Sequence, residues 1–572
     1  MADLYPARAH ALKVLNDLLL LLPEADRTKP QLLFLQSKPV TYRDDTDREL
    51  PFRQESNFYH LSGCLLPNSS LLISYLPEPA SSGSEANGAE VKEANVLSTL
   101  FVPEEDPLEV LWSPAPPSLE EAEKAHDASC VKPTSVLPHL LADLLGATPE
   151  ALLHTLPSSP APFPPLPEAV HSLASSHGST AAYLLPALHR SRLLKDPHEV
   201  ARIRKANAIS SRAHELVMRL LGTYAGQARR ETRGGEMPGE WRIQKEGDAE
   251  AVFVASCRRE DAIHQAYLPI VASSVRAATL HYCCNDKAFS WGPIPRETSH
   301  LHSLLGGHAH TNGHAADGEG EGEKYLQAQV LLIDAGCEWD CYASDITRVT
   351  PLGNGGRFTP EARAIYSIVL KMQTEAISSL RPGVHWDSVQ LQCHVTLVRE
   401  FLALGLFVGE EKEVLASGVS AAFFPHGVGH SLGLDVHDVP SASKPLRAEV
   451  PEKSGENPEF YTYLRLRLPL QAGMVLTVEP GIYFSPHQLA PIRSSPFINH
   501  PLLAAYEPVG GVRIEDVLLI TEEGCENLTP AKKGVEEVER LASGAAGAGG
   551  RGRGGVVGVL EGVAEKVLGG GW

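Results

Sequence analysis

The chain has 572 residues, of which 43% are hydrophobic and 21% are charged, a composition typical of a globular protein with a substantial core. It contains 50 Lys and Arg against 70 Asp and Glu residues, a net charge of −20, and it has no Lys- or Arg-rich run. These features argue against nucleic acid and anionic membranes as partners, and no stretch approaches the roughly 20 apolar residues of a membrane span.

Nine cysteines predict reduced thiols. Their number is odd, none forms a Cys-x-x-Cys pair, and the adjacent Cys283 and Cys284 are poorly placed to bridge each other. We therefore expect a cytoplasmic location. Cys283 lies two residues after His281, so a Cys/His nucleophile is conceivable, but buried structural thiols are the preferred interpretation.

Residues 1–190 alternate helical and strand patterns and predict a mixed α/β N-terminal domain. Residues 11–22 resemble an amphipathic helix, because an aspartate interrupts the apolar run and no cleavage site follows. Residues 31–37 and 70–76 predict strands. The Pro-rich stretch 156–169 predicts a surface loop.

A second domain is predicted for residues 191–535. Pro197 directly after Asp196 suits the start of a helix. The helix would bury a stripe of Val200, Ile203, Ala206 and Ile209.

Three polar insertions interrupt this second domain, near residues 226–248, 287–323 and 443–460. The second holds five histidines, at positions 300–314, diluted by Gly, Ala and acidic residues, which favours an exposed loop over a metal site. Residues 536–572 are Gly-rich and predict a low-complexity tail.

Two aspartates flank a predicted hairpin. Residues 330–334 and 342–350 are β-rich runs on either side of a polar stretch. Asp334 and Asp345 lie symmetrically about that stretch, so we expect them to be cross-strand partners on one face. Two carboxylates so close repel each other unless a cation lies between them. The alternative is that one caps a turn and the other faces water.

Three histidines, His426, His430 and His437, follow in a Gly-punctuated apolar run. Each alone could be a satisfied core residue or a surface residue, but three in such a run are uncommon because imidazole is costly to bury without a partner. One nitrogen ligand beside several carboxylates favours Mn, Co, Fe or Zn over Mg or Ca.

Two glutamates lie in later β-rich runs. Glu479 ends the run 474–478 before a Pro-Gly turn, and Glu515 lies within the predicted strand 510–521. A Glu in such a strand is expected to be paired or to bind a metal ion. Arg513 shares the face of Glu515 and is the alternative partner.

These residues predict a dinuclear metal site. Four carboxylates and one imidazole carry too much negative charge for one ion, and they suit two divalent ions that share bridging carboxylates. Such a pair lowers the pKa of a shared water and polarises a carbonyl, which is the machinery of amide hydrolysis. The predicted ligands are Asp334, Asp345, His430, Glu479 and Glu515.

The motifs DAG…YASDITR, HGVGHSLGLDVHD, VEPGIYF and VRIEDVLLIT resemble the metal-site motifs of the pita-bread metallopeptidases. The most similar family is Xaa-Pro aminopeptidase, or aminopeptidase P (M24B), because FRQESNFYHLSGC at 52–64 resembles its N-terminal signature. The resemblance spans about residues 30–530. It implies an α/β (α+β) fold with an aminopeptidase P-type N-terminal domain and a pita-bread (creatinase/aminopeptidase-like) catalytic domain.

The resemblance also implies roles for the site residues. The five ligands would hold two divalent ions, usually Mn²⁺ in this family, with Asp345 and Glu515 bridging them and an activated hydroxide as nucleophile. Glu479 would also handle the proton of the attacking water. The remaining roles are substrate contact near the scissile bond for His281, stabilisation of the oxyanion for His437, and support of the pocket for His426 and Arg513.

The implied substrates are peptides with proline at the second position, and the implied assembly is a homodimer or homotetramer. Prolidase, which uses the same ligand set on Xaa-Pro dipeptides, is the nearest alternative. Creatine-type amidinohydrolysis is a second, although the intact ligand set argues against a metal-free mechanism. A non-catalytic pita-bread scaffold is a third, and it would have no reason to keep all five ligands.

Overall fold

The computed structural model describes residues 4–77, 91–158, 163–224, 226–231, 235, 241–293, 323–444 and 457–544. The predicted His-rich stretch at 300–314 lies outside these residues, as do most of the predicted tail and parts of all three predicted insertions.

The N-terminal part is a mixed sheet with helices on both faces. Its strands are β1 (Gln31–Gln36), β2 (Ser70–Tyr75), β3 (Val96–Val102), β4 (Cys130–Pro133), β5 (Leu152–His154) and β6 (Ser179–Thr180). Their order in the sheet is β4-β3-β2-β1-β5-β6. The helices are α1 (Ala7–Leu21), α2 (Ser56–Ser62), α3 (Leu119–Ala125), α4 (Leu137–Ala147), α5 (Glu168–His177) and α6 (Leu184–Leu193).

The strand β1 explains why both faces are covered. Its side chains alternate between the faces, so Leu33 packs in one core with Val14 of α1, and Phe34 packs in the opposite core with Leu141 of α4. Because both faces of β1 are buried, its sequence is a continuous apolar run, and that run predicted the strand.

A long helix, α7 (Pro197–Thr223), follows the N-terminal part and begins at the residue that the sequence predicts. Asp196 caps it by accepting hydrogen bonds from the backbone N–H groups of His198 and Glu199 at 2.7 and 2.9 Å. Ile203, Ala206 and Ile209 of the predicted stripe are buried. The next helix, α8 (Glu246–Arg259), begins inside the stretch predicted as the first insertion.

The rest of the chain adds short sheets and six further helices within the described residues. The strands are β7 (Ile270–Ser273), β8 (Trp291–Gly292), β9 (Tyr325–Leu326), β10 (Gln329–Asp334), β11 (Glu338–Trp339), β12 (Tyr342–Ala343), β13 (Thr347–Leu352), β14 (Val475–Val478), β15 (Gly481–Tyr483), β16 (Gly511–Arg513), β17 (Asp516–Ile520) and β18 (Cys525–Asn527). The helices are α9 (Pro360–Ser379), α10 (Trp386–Leu404), α11 (Glu411–Ala416), α12 (Pro486–Leu489), α13 (His500–Tyr506) and α14 (Val535–Ala542). The last helix extends into the range assigned to the tail.

Two three-stranded sheets, β13-β10-β7 and β14-β17-β18, and the pair β15-β16 surround one large core that includes residues of α9 and α10. The predicted carboxylate ligands lie at or beside the ends of these strands, and His430 lies in a loop next to Ser431, which forms a bridge to Leu476 of β14. All nine cysteines lie in the described ranges and are free. Among the described residues, no helix combines the length and apolarity needed to cross a membrane.

Candidate metal centre and active site

The hairpin that carries the two aspartates has a different register from the predicted one. Asp334 pairs with Thr347 across β10 and β13, so Asp345 is its diagonal neighbour and not its direct partner. The reason is the turn, whose tip is at Asp340 and Cys341, both with positive φ. Diagonal neighbours still share a face, so both carboxylates point to the same place.

Tyr267 contacts both aspartates, a role that no sequence motif predicts. Its hydroxyl lies 2.5 Å from a carboxylate oxygen of Asp334 and 2.5 Å from one of Asp345. One hydroxyl proton serves only one of these contacts, so the other needs a proton on a carboxyl group. Burial, followed by the charges of Asp334 and Glu479, raises the pKa of Asp345 well above its usual value, so Asp345 holds a proton more readily than a free carboxyl group does.

His430 is held with one ring nitrogen free for a ligand. Its Nδ1 lies 3.1 Å from the carbonyl of Ser431, which can only accept, so Nδ1 carries the proton. Its Nε2 lies 3.4 Å from a carboxylate oxygen of Asp345 and 3.4 Å from one of Glu479. Burial lowers the pKa of His430 to about 4, so a bare lone pair faces anions. That arrangement suits a cation between them.

The two glutamates stand at breaks between strands. Glu479 follows β14 and precedes β15, and Glu515 lies between β16 and β17, not inside one continuous strand as predicted. The Thr347 hydroxyl donates to Glu515 at 2.7 Å. Burial raises the pKa of both glutamates well above the usual value, and each is raised further by neighbouring carboxylates.

Arg513 pairs with Asp334 at 2.5 Å, so the alternative of a pair with Glu515 is wrong. It also donates to the Tyr483 hydroxyl at 2.8 Å. Tyr483 lies 2.9 Å from Nε2 of His426, whose Nδ1 must donate to the Gly427 carbonyl, so Tyr483 donates to His426. Arg513 and His426 therefore belong to one hydrogen-bonded chain beside the carboxylates.

The residues fit a divalent metal ion. Ligand atoms of Asp345, His430 and Glu515 all lie within 4.8 Å of one another, and all three residues are buried. Asp334 and Glu479 lie beside them, and Arg513 offsets only one negative charge. A buried cluster of this charge needs either protons or cations.

One cavity of about 790 Å³ brings all the predicted site residues together. His437 also lines it, with its ring 4.4 Å from that of His430, centroid to centroid. Partial desolvation of the ring, followed by the charge of His430, lowers the pKa of His437 to about 3. The exposed loop residue His281 also lines it. The nine predicted residues in the lining are His281, Asp334, Asp345, His426, His430, His437, Glu479, Arg513 and Glu515.

The raised carboxylate pKa values predict that metal-free protein loses stability as the pH rises. The folded protein keeps protons on Asp345, Glu479 and Glu515 above the pH where the unfolded chain, with pKa values of 3.8 and 4.5, releases them. The free energy of unfolding should therefore fall as the pH rises from the unfolded values through the raised ones.

Thermal unfolding of chelator-treated protein from about pH 5 to about pH 8 measures this effect. A Glu479→Gln variant, with one titrating carboxyl fewer, should lose less stability over the same range. Added Mn²⁺ should stabilise the wild type most at the high-pH end, because metal binding requires the deprotonated ligands. Parallel pH profiles for variant and wild type would contradict this prediction.

The fold and the site together define a metallopeptidase. Two family models match the chain: "Aminopeptidase P, N-terminal domain" over residues 10–153 and "Metallopeptidase family M24" over residues 201–522. These matches confirm the predicted fold class of an N-terminal α/β domain followed by a pita-bread catalytic domain.

Curated relatives and solved structures give the same result. The chain is 37% identical over 541 residues to "Probable Xaa-Pro aminopeptidase PEPP" of Podospora anserina, covering 94% of this chain and 97% of that protein. It is 36% identical over 557 residues to the Aspergillus clavatus protein of the same description, covering 95% and 98%. Aminopeptidase P from E. coli with the inhibitor Pro-Leu matches with 26% identity, a TM-score of 0.65 and coverage of 94% and 98%. Zn-substituted E. coli aminopeptidase P with product matches with 25% identity, a TM-score of 0.66 and coverage of 94% and 99%. The chain belongs to the aminopeptidase P group of metallopeptidase family M24, and its cofactors are divalent metal ions.

Proposed function

We propose that the chain hydrolyses the bond between an N-terminal residue and a following proline, using two divalent ions, Mn²⁺ in the cell, at one dinuclear site. The observation that carries this proposal is the convergence of four carboxylates and one neutral imidazole on a single cavity. The residues that would hold the ions are Asp334, Asp345, His430, Glu479 and Glu515.

When bound, the ions supply Lewis-acid polarisation of the scissile carbonyl and an activated water. Glu479 accepts the proton of the attacking water, a role that its raised pKa suits. The same carboxyl then returns a proton to the proline nitrogen, which must leave as an amine. Proline suits such a site because its nitrogen carries no hydrogen and its φ is fixed, so a pocket shaped for the ring replaces recognition of an N–H.

The histidines act on the substrate around this centre. The lowered pKa of His437 keeps its ring neutral at physiological pH, and its one N–H group would donate a hydrogen bond to the developing oxyanion. His281 contacts the peptide near the scissile bond from the cavity wall. The hydrogen bonds from Arg513 to Tyr483 and from Tyr483 to His426 hold the His426 ring, and Arg513 also holds Asp334 by an ion pair.

Peptide length separates this activity from prolidase activity. We expect cleavage of an Xaa-Pro-Xaa tripeptide, with stimulation by Mn²⁺ after chelation, because a cavity of about 790 Å³ is large enough for a peptide longer than two residues. Measuring kcat/KM on the tripeptide and on Gly-Pro, with and without Mn²⁺, tests both points. Cleavage confined to the dipeptide would favour prolidase, and no cleavage of either peptide would favour the scaffold.

We also propose a cytoplasmic homodimer or homotetramer. The nine free thiols support the compartment. The exposed apolar side chains Leu108, Leu111 and Trp112 in the N-terminal part support self-association. Light scattering of the purified protein tests the assembly, and a monomeric mass at micromolar concentration would contradict it.

A further inference from the structure

The loop that carries His281 has almost no regular structure of its own. It connects β7 to β8, and within it only a short 3-10 turn, Ser274–Ala278, is regular. His281, Cys283 and Cys284 are exposed. A catalytic group on such a loop needs anchors elsewhere, because a displacement of about 1 Å can cost roughly 10²-fold in rate.

Glu246, the first residue of α8, is completely buried and is the centre of one anchor. Its Oε1 accepts from the backbone N–H of Ser273 at 2.9 Å, from the Ser273 hydroxyl at 2.9 Å and from Nε of Arg276 at 2.8 Å. Its Oε2 accepts from the Tyr282 hydroxyl at 2.8 Å and from the backbone N–H of Lys287 at 3.3 Å. All five donors belong to the His281 loop or its first flanking residue.

The charge of Glu246 is compensated within the same loop. Arg276, whose side chain is 28% exposed, is its ion-pair partner, and Arg276 also donates to the carbonyl of Ala288 at 3.1 Å. The backbone N–H of Glu246 donates to the carbonyl of Lys287 at 3.1 Å. A carboxylate that accepts this many hydrogen bonds holds its donors in one geometry.

Asn285, a residue of the loop itself, forms a second anchor. It accepts from the backbone N–H of Val271 at 2.9 Å and donates to the carbonyl of Pro269 at 2.7 Å. Asn285 also donates to Glu250, which lies one turn after Glu246 in α8, at 3.1 Å. The loop is therefore fixed on both sides of His281: Arg276 precedes it, and Tyr282 and Asn285 follow it. Tyr282, the next residue in the sequence, is the fixed residue nearest to His281.

We propose that Glu246 is a positioning residue that holds the loop 274–288 so that His281 meets the substrate. The proposal rests on the proposed function only for the role of His281, since the hydrogen bonds to the loop are independent of any activity. Glu246 is not among the residues that line the cavity, so its effect on catalysis would pass through the loop.

Two variants test the anchor. Glu246→Gln replaces one acceptor oxygen with an amide that faces donors, and Tyr282→Phe removes a single hydroxyl and keeps the ring packed. Glu260→Gln is the matched control, since Glu260 stands at the other end of α8 and pairs with Arg212. We expect Glu246→Gln to lower kcat/KM roughly 10²-fold and Tyr282→Phe to lower it several-fold. Mn²⁺ stoichiometry should stay at the wild-type value.

A double-mutant cycle with His281→Ala separates positioning from general support of the fold. If Glu246 acts through His281, Glu246→Gln should cause little further loss in the His281→Ala background. Equal losses in both backgrounds would overturn the proposal, as would a Tyr282→Phe variant indistinguishable from the Glu260→Gln control.

Loop order has a readout that needs no activity. Trypsin cleavage after Lys287 and thiol labelling of Cys283 and Cys284 should be faster in Glu246→Gln and Tyr282→Phe than in Glu260→Gln. Unchanged cleavage and labelling in both variants would overturn the anchor. If the variants show these loop effects but the wild type does not cleave tripeptides, the proposed function is refuted and the anchor stands.

Discussion

Replacing Glu515 with glutamine should lower kcat/KM for an Xaa-Pro-Xaa tripeptide by at least about 10³-fold, because loss of one preorganised electrostatic contact already costs roughly 10²–10³-fold. Glutamine keeps the shape of the side chain and its contact with the Thr347 hydroxyl, but it removes a negative charge from a residue that is 1% exposed. Steady-state kinetics in metal-replete buffer and metal analysis of the purified variant measure the two consequences.

The same substitution should not destabilise the metal-free protein near neutral pH. Burial is the largest cause of the raised pKa of Glu515, and the charges of Asp345 and Asp334 raise it further. Without a cation, an ionised Glu515 therefore destabilises the folded protein. The glutamine variant lacks this charge, so the melting temperature of the chelated variant should equal or exceed that of the chelated wild type. Full activity of Glu515→Gln, or a large loss of its metal-free stability, would contradict the proposed role.

Asp516→Asn should instead lower the free energy of unfolding by about 3–5 kcal/mol, because it leaves a buried charge without its partner. Asp516 is fully buried and lies 2.8 Å from Nη2 of Arg348 and 2.5 Å from Nζ of Lys533. Burial alone would raise the pKa of Asp516, but these two cations lower it. Urea unfolding of wild type and variant measures the difference.

The comparison with Glu515 is informative because the two acidic residues are adjacent and face different partners. Asp516→Asn should retain metal binding per folded molecule, whereas Glu515→Gln should lose it. Asp387→Asn is the control for a partly exposed ion pair, with Arg467, and should cost at most about 1 kcal/mol. A loss below about 1 kcal/mol for Asp516→Asn would show that the buried cluster around Arg348 is not a stabilising one.

Local signals explain which elements of the fold could be predicted. Apolar runs located β1 and β2 to within a residue, and the Asp-Pro pair located the start of α7. The order of the six-stranded sheet could not be read in the same way, because β1 pairs with β2 on one side and with the distant β5 on the other. Such pairing depends on packing between segments far apart in sequence.

The metal-site residues could be chosen from motifs, but their connections could not. The hairpin register was wrong because Asp340 and Cys341 occupy positive φ at the turn tip, where Asn-Gly would have signalled the turn. Tyr267 carries no motif and acts only because the fold brings its hydroxyl between two aspartates. Glu246 was assigned to an insertion because its partners come 27 to 41 residues later.

Titration of the metal-free protein with Mn²⁺, by calorimetry with activity measured at each addition, tests the dinuclear site most directly. Two ions bound per chain are predicted, with activity on the tripeptide rising as they bind. Binding well below one ion per chain, or full activity without any bound ion, would contradict the proposal that the five side chains form a dinuclear hydrolytic centre.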